Sequence, residues 1–356
     1  MTSKEEKIKA FNPNEIGDAN ANLFGLPFTT EEADVVIIPI PWEVTVSYGG
    51  GTADGPDAVF DASFQVDLFD PFVKDAWKQG IAMDEVNPDI RTKSDTLRKK
   101  AEHYIDLYAK GESSATNPQM KKIQDEVNEG CRWLNKTVKE RVDFFLKKNK
   151  VVGLLGGDHS TPYGMMQALA EHFGNFGILQ IDAHADLRDA YEGFEFSHAS
   201  IMFNALKIPQ VEKLIQVGIR DYCEAELNIT QNPNGRVKTF FDRDIKHEMY
   251  RGAKWESVCD KIISELPDKI YLSFDIDGLD PKLCPNTGTP VAGGFETEQV
   301  LFLLEKIAQS GKKIIAFDIN EIAPGEDEWD ANVGARLLYR ISNLVSSSNR
   351  KQENSI

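Results

Sequence analysis

Three short segments of the 356-residue sequence carry imidazole and carboxylate groups at spacings that could hold metal ions. They are GGDHS at 156–160, DAHAD at 182–186 and DIDGLDP at 275–281. Each contributes groups of the type that bind divalent cations in proteins. The candidate metal ligands are His159, Asp182, His184, Asp186, Asp275 and Asp277.

The spacing within these segments favours convergence of the side chains. On an extended backbone alternate residues project to one side, so Asp182, His184 and Asp186 can point at one centre. Four clustered carboxylates repel one another unless cations neutralise them, and two divalent ions would supply that charge. Imidazole and carboxylate ligands without thiolate suit Mn²⁺, Fe²⁺, Co²⁺, Ni²⁺ or Zn²⁺ better than Ca²⁺. The sequence therefore predicts a binuclear transition-metal site.

Each segment alone has a simpler interpretation. An Asp-x-Asp-Gly sequence is often a turn or a fragment of a calcium loop, and a Gly-Gly-Asp-His sequence is often a tight turn with a hydrogen-bonded histidine. All three segments, however, follow apolar runs that predict β-strands. This joint occurrence favours the metal site over three unrelated turns.

The apolar runs also predict the fold that positions these groups. They are rich in Val, Ile and Leu without strict alternation, and longer helical stretches separate them, as in a parallel sheet covered by helices on both faces. We predict a three-layer α/β/α sandwich with a mainly parallel sheet, in which polar strand endings converge on one pocket. The predicted strands lie within 33–41, 150–158, 176–184, 213–221, 268–277 and 312–320.

Residues from about 85 to 150 differ from the rest of the chain, since they are polar and lack strand-like runs. Apolar residues at spacings of three and four predict one long amphipathic helix from Ile123 to Phe145, and a second helix is expected near 94–109. We interpret this region as a helical insertion that packs on the sheet, with a role in oligomer contacts as the alternative. Residues 1–340 are expected to form a single catalytic domain, and 341–356 a disordered tail.

Composition excludes some classes of protein. With 40 Lys and Arg against 57 Asp and Glu, the formal charge is −17, which argues against nucleic-acid binding. No apolar run is long enough to cross a bilayer, and the start lacks the apolar core of a signal peptide, so no membrane partner is expected. The four cysteines form no zinc pattern and are predicted to be reduced thiols in a cytoplasmic protein. The acidic balance could attract a cationic substrate or serve only solubility.

The three segments, followed by TGTP and GG within 287–294, resemble the ureohydrolase family of arginases and agmatinases. The resemblance extends over roughly residues 33–340 apart from the helical insertion. It implies an arginase-like fold, two Mn²⁺ ions held by the six candidate ligands, and hydrolysis of a small cationic guanidino compound to urea and an amine. Such ligands can also bind Ni²⁺ or another divalent transition metal, so these ions are alternatives to Mn²⁺. Family members commonly form homotrimers or homohexamers.

The resemblance also implies roles for individual residues. Asp186 would orient the attacking hydroxide as well as bind metal. His198 matches the family histidine that shuttles protons, which suits an imidazole near neutral pH, although a purely structural role is the alternative. Glu321 matches the glutamate that pairs with the guanidinium through two oxygens. Thr289, in the TGTP turn, is a further substrate-binding candidate that could equally be a structural turn residue.

The resemblance implies that substrate preference depends on the residue at position 188, two positions beyond Asp186. Arginases usually carry Asn there and use it to bind the substrate α-carboxylate, whereas this chain has Arg188. The segment from Asp186 to Gly193 resembles the agmatinase-like branch, so conversion of agmatine to putrescine is expected. Arginase, guanidinobutyrase and guanidine hydrolase activities remain alternatives on the same scaffold, with Arg188 as a substrate-binding candidate. A non-catalytic metal- or polyamine-binding protein is the alternative of another class.

Overall fold

A computed structural model describes residues 3–15, 17–18, 20–232 and 235–350 of the chain. In it, eight parallel strands form one sheet in the order β2-β1-β3-β8-β7-β4-β5-β6. The strands are β1 (Val35–Ile40), β2 (Ile81–Met83), β3 (Val151–Gly156), β4 (Phe176–Ile181), β5 (Val211–Val217), β6 (Val237–Phe240), β7 (Lys269–Asp275) and β8 (Lys313–Asn320).

Eleven α-helices connect or flank these strands in the described part of the chain. They are α1 (Lys4–Ala10), α2 (Gly55–Ser63), α3 (Pro88–Ala109), α4 (Pro118–Leu146), α5 (Tyr163–Phe173), α6 (Ile201–Ala205), α7 (Glu224–Thr230), α8 (Asp242–Tyr250), α9 (Trp255–Glu265), α10 (Thr297–Gln309) and α11 (Trp329–Asn349).

The sheet separates two hydrophobic cores, as the sequence predicts. Alternate residues of β1 face opposite sides, with Val35 and Ile37 in one core and Val36 and Ile38 in the other. The first core receives α2, α9, α10 and α11, and the second receives α3, α4, α5 and α6. The three-layer α/β/α prediction is confirmed, with a sheet that is parallel in all its strand pairs.

Two long helices occupy the polar region between β2 and β3. Each begins at an Asn-Pro pair, where the side chain of Asn87 or Asn117 accepts hydrogen bonds from the first turn and the proline has no N–H that needs an acceptor. The apolar residues of α4 that predicted the long helix are all buried. They are Ile123, Val127, Cys131, Leu134, Val138, Val142 and Phe145.

The structure corrects the expected boundary of the tail. Helix α11 continues to Asn349, and Ile341, Leu344 and Val345 within it are fully buried against the sheet. Residues 341–349 are therefore helical, because their apolar face completes a core. The rest of the expected tail, 351–356, lies outside the described residues. None of the helices in the described ranges is both long and apolar enough to cross a membrane.

Candidate metal centre

Three carboxylates surround one nitrogen of His159 beyond the carboxyl end of β3. The Nδ1 atom lies 3.1 Å from Oδ2 of Asp182, 3.1 Å from Oδ2 of Asp186 and 3.3 Å from Oδ2 of Asp275. The other ring nitrogen, Nε2, lies 2.9 Å from the hydroxyl of Ser273. That contact orients the imidazole so that Nδ1 faces the carboxylates.

A second group forms around His184. Its Nδ1 atom is 2.9 Å from Oδ2 of Asp277 and 3.7 Å from Oδ1 of Asp182. Two sets of side chains are therefore close enough to hold an ion each, namely His159 with Asp182 and Asp186, and Asp182 with His184 and Asp277. Asp182 belongs to both sets.

The backbone beyond β4 and β7 brings these groups together. Asp182 directly follows β4, and Asp275 ends β7, where its carboxylate accepts a 2.8 Å hydrogen bond from the Asp277 amide. Asp186 has a left-handed backbone with φ of 54°, unusual for a residue with a side chain. The segment 182–186 is therefore not a plain extended strand, and its side chains serve two groups rather than one centre.

Burial and mutual repulsion perturb the carboxylates strongly. Burial, followed by the charges of Asp186 and Asp277, raises the pKa of Asp182 to about 7. Burial, followed by Asp277 and Asp182, raises the pKa of Asp275 well above its usual range. Although burial lowers the pKa of His159, the facing carboxylates raise it well above its ordinary value. The centre thus has excess negative charge that only bound cations or protons can balance.

The chemistry of the donor set fits divalent metal ions. Nδ1 of His159 is buried and has no hydrogen-bond partner among the described residues, despite its short contacts with carboxylates. A buried polar atom in that state is costly unless something coordinates it. His159, Asp182, Asp186 and Asp275 would hold one cation, and Asp182, His184 and Asp277 a second.

A pocket of about 140 Å³ opens above this cluster. Its walls bring together every predicted site residue except Asp182, which is fully buried beneath it. The predicted residues that line it are His159, His184, Asp186, Arg188, His198, Asp275, Asp277, Thr289 and Glu321.

Glu321 lies at the end of β8 and is held in place from several sides. Its Oε1 atom accepts a 2.8 Å hydrogen bond from the His159 amide, and its own amide donates to the Gly157 carbonyl at 2.8 Å. Burial, and then the charge of Asp158, raises the pKa of the Glu321 carboxyl well above its usual range. A cation entering the pocket would relieve that penalty, so the side chain suits a guanidinium partner.

His198 follows a short turn and lines the same pocket. Its Nδ1 atom lies 3.3 Å from the Ser197 hydroxyl, and its ring meets that of Tyr191 edge to face at 6.2 Å. Burial, followed by the positive charge of His184 and His159, lowers the pKa of His198 to about 3. The imidazole is therefore neutral at pH 7 in the metal-free chain.

Arg188 is at the pocket mouth but already has partners. Its Nε atom lies 3.6 Å from Oε2 of Glu226, and its guanidinium stacks over the Tyr191 ring at 4.8 Å. Glu226 is buried and also accepts hydrogen bonds from the amides of Leu187 and Cys223. Thr289 also lines the pocket, in the segment between β7 and α10, and is partly exposed.

Six residues of the pocket wall were not among the predicted site residues, namely Ser47, Tyr48, Tyr191, Ala199, Asp221 and Glu226. Asp221 and Glu226 follow β5, which was predicted as a strand without assigning its polar ending to the pocket. Asp221 lies 3.9 Å from Nε2 of His184, on the side away from Asp277. Ligands bind beyond the carboxyl ends of parallel strands, and the same reasoning applied to β5 would have identified Asp221.

Comparison with known proteins agrees with this arrangement. Residues 33–342 match the model of the Arginase family. The chain is 29% identical to the N(1)-aminopropylagmatine ureohydrolase of Thermus thermophilus, over 88% of this chain and 91% of the relative. It is 25% identical to the agmatinase of Bacillus subtilis, over 87% and 91%. The agmatine ureohydrolase structure from Thermoplasma volcanium superposes with a TM-score of 0.67 at 22% identity, covering 96% of this chain and 98% of that one.

Proposed function

The chain belongs to the arginase family, and from that premise we propose that it hydrolyses agmatine to urea and putrescine. The enzyme class, an amidinohydrolase acting on a guanidino compound, follows from the family and its ureohydrolase relatives. Agmatine is favoured because one such relative is named agmatinase, and because an Arg stands at position 188 where arginases usually have Asn.

One observation carries the proposal. Two metal-capable groups that share Asp182 lie at the floor of a pocket whose wall contains the buried carboxylate of Glu321. The metal-capable groups could activate water, and Glu321 could bind the planar guanidinium above them. This arrangement suits hydrolysis of a guanidino compound.

The residues have complementary parts in the reaction. When bound, two divalent cations lower the pKa of a water molecule so that it can act as a nucleophile near neutral pH. Asp186, at the junction of the floor and the pocket, would orient that nucleophile. Glu321 would bind the guanidinium and hold its carbon over the floor, which removes much of the entropic barrier. Neutral His198 would accept a proton and deliver it to the leaving amine.

The metal and the assembly are also part of the proposal. Mn²⁺ is favoured by the family resemblance, with Ni²⁺ the main competitor on imidazole and carboxylate ligands. We expect the chain through the end of α11 to act as one catalytic domain, and to assemble as a homotrimer or homohexamer. Four cysteines without disulfides are consistent with the reducing environment of the cytoplasm.

Urea release from a panel of guanidino compounds tests the function. Metal-free protein would be supplied with Mn²⁺ or Ni²⁺ and offered agmatine, N(1)-aminopropylagmatine, arginine, guanidinobutyrate and guanidine separately. We expect agmatine to give the highest kcat/KM. A different best substrate would replace agmatine within the same enzyme class. Release of urea from none of them, with metal bound, would favour the non-catalytic binding protein instead.

A further inference from the structure

The loop of residues 41–54, between β1 and α2, forms part of the pocket wall through Ser47 and Tyr48. Two of its hydrogen bonds reach residues beside the metal-capable groups. The Val44 amide donates to Oδ2 of Asp158 at 3.2 Å, and the His198 amide donates to the Thr45 hydroxyl at 3.3 Å. A shift of this loop would therefore disturb the hydrogen bonds at Asp158, next to His159, and at His198.

A buried carboxylate closes the loop on itself. Oε2 of Glu43 accepts hydrogen bonds from the amide of Gly51 at 2.6 Å, from the hydroxyl of Thr52 at 3.1 Å and from the amide of Ala53 at 3.3 Å. Glu43 is only 8% exposed. The Glu43 carboxylate therefore connects the two ends of the loop. These hydrogen bonds are internal to the loop and do not fix its position relative to the rest of the pocket.

Helix α3 supplies that external support. Arg91, Ser94 and Arg98 are three and four residues apart, so they lie along one side of the helix. Arg91 donates to the Ala53 carbonyl at 3.3 Å, and the Glu43 amide donates to the Ser94 hydroxyl at 2.8 Å. The loop is thus attached to α3 near both of its ends.

Arg98 reaches the middle of the loop. One guanidinium nitrogen donates to the Val46 carbonyl, directly before Ser47, and lies 3.5 Å from the Val44 carbonyl. Its Nε atom is 3.9 Å from Oε1 of Glu43. Its side chain is only 18% exposed, so these contacts are shielded from water. Hydrogen bonds from a charged donor are stronger than neutral ones, which makes Arg98 a strong external hold on the middle of the loop.

We infer that Arg98 is a positioning residue for substrate binding, which holds the 41–54 loop so that Ser47 and Tyr48 stand at the pocket mouth. Helix α3 thereby helps to define the pocket from outside it, although none of its residues lines the pocket. The kinetic consequence rests on the proposed function, whereas the effect on the loop does not.

Hydrogen exchange measured by mass spectrometry tests the hold on the loop without relying on activity. Arg98→Gln should raise exchange across residues 44–53 by about tenfold, the equivalent of one charge-assisted hydrogen bond. Arg98→Lys, which keeps the charge, should have a smaller effect. Lys100→Gln is the matched control, because Lys100 pairs with Glu126 of α4 at 2.7 Å and, among the described residues, makes no hydrogen bond or ion pair with the loop.

Two exchange results would overturn the inference. One is unchanged exchange in the loop of Arg98→Gln. The other is an equal rise throughout α3 and α4, which would mean that the substitution had only loosened the helix pair.

Kinetics on the same variants supply the second readout. With the best substrate of the urea-release panel, KM should rise by roughly three- to tenfold in Arg98→Gln, with kcat and metal content close to those of the parent. Rescue by Arg98→Lys and no effect in Lys100→Gln would support positioning. A loosened loop with unchanged KM would refute it. If no compound releases urea, the proposed function fails, and the exchange data still decide whether Arg98 holds the loop.

Discussion

Asp182 presents its Oδ2 atom 3.1 Å from Nδ1 of His159. Its other carboxylate oxygen, Oδ1, lies 3.7 Å from Nδ1 of His184, so one side chain faces both histidines of the centre. A carboxylate can bind a different cation with each oxygen. The two metal-capable groups are therefore not independent, and Asp182 is the side chain whose loss should affect both.

The first prediction concerns metal stoichiometry. Asp182→Ala should reduce bound metal to less than about one ion per chain and abolish nearly all turnover, because both groups lose a charged ligand. Asp275→Ala should lose at least one ion, and His184→Ala should keep the ion beside His159. Elemental analysis of each purified variant after loading with Mn²⁺ gives the answer. Two ions retained in Asp182→Ala would contradict the assignment.

The second prediction concerns stability of the metal-free protein against pH. The pKa of Asp182 is about 7 in the folded chain against an ordinary value of 3.8, so the folded state keeps a proton that the unfolded state releases. Stability from this source is complete below the ordinary value and is lost as pH rises through the folded value. The raised pKa values of Asp275, His159 and His184 act in the same direction, whereas the lowered pKa of His198 opposes them below its ordinary value of 6.5. The melting temperature of chelated protein should therefore fall by several degrees between about pH 5 and pH 8.

Metal-loaded protein is the control for this measurement. Bound cations keep the carboxylates ionised, so its melting temperature should change less over the same pH series, and the stabilisation by metal should grow towards pH 8. The overall charge of the chain affects both samples alike. If the melting temperatures of the two samples changed equally with pH after verified chelation, repulsion between unscreened carboxylates would not be the cause of the change.

The central part of the fold was predictable because its strands are long and apolar. Six predicted runs correspond to β1, β3, β4, β5, β7 and β8. The other two strands, Ile81–Met83 and Val237–Phe240, lie at the two edges of the sheet and have only three and four residues. Segments so short bury little apolar surface and show no periodicity, so neighbouring strands rather than local sequence determine them.

The site was predictable where its groups follow long strands. Asp275 ends β7, Asp182 directly follows β4 and His159 comes three residues after β3, and the structure gathers them. The loop contacts of Arg98 could not be foreseen, because it is a charged residue on a polar helix and its partners are backbone carbonyls more than fifty residues away. A long-range contact between a side chain and a loop backbone produces no motif or periodicity in a single sequence from which it could be predicted.

The third prediction is that His198→Ala lowers kcat by about 10² to 10⁴ while both metal ions stay bound, the usual size of a general acid–base contribution. His198 lines the pocket but belongs to neither metal-capable group, so its loss should affect proton transfer rather than assembly. The control is His172→Ala, an exposed imidazole of α5, which should retain full activity. Loss of metal in His198→Ala would make it a ligand instead.

The last prediction concerns selectivity between agmatine and arginine. Arg188 has its Nε 3.6 Å from Glu226 and stacks on Tyr191, so binding the α-carboxylate of arginine would compete with these contacts. A pocket that must desolvate that carboxylate without anchoring it should favour agmatine by roughly 10² or more in kcat/KM. The opposite result has a physical route, since Arg188 could leave Glu226 and bind the carboxylate by a charge-assisted pair. The kcat/KM ratio in the parent and in Arg188→Ala separates these cases. Faster turnover of arginine, with the preference abolished by that substitution, would overturn the agmatine assignment and make Arg188 the specificity residue.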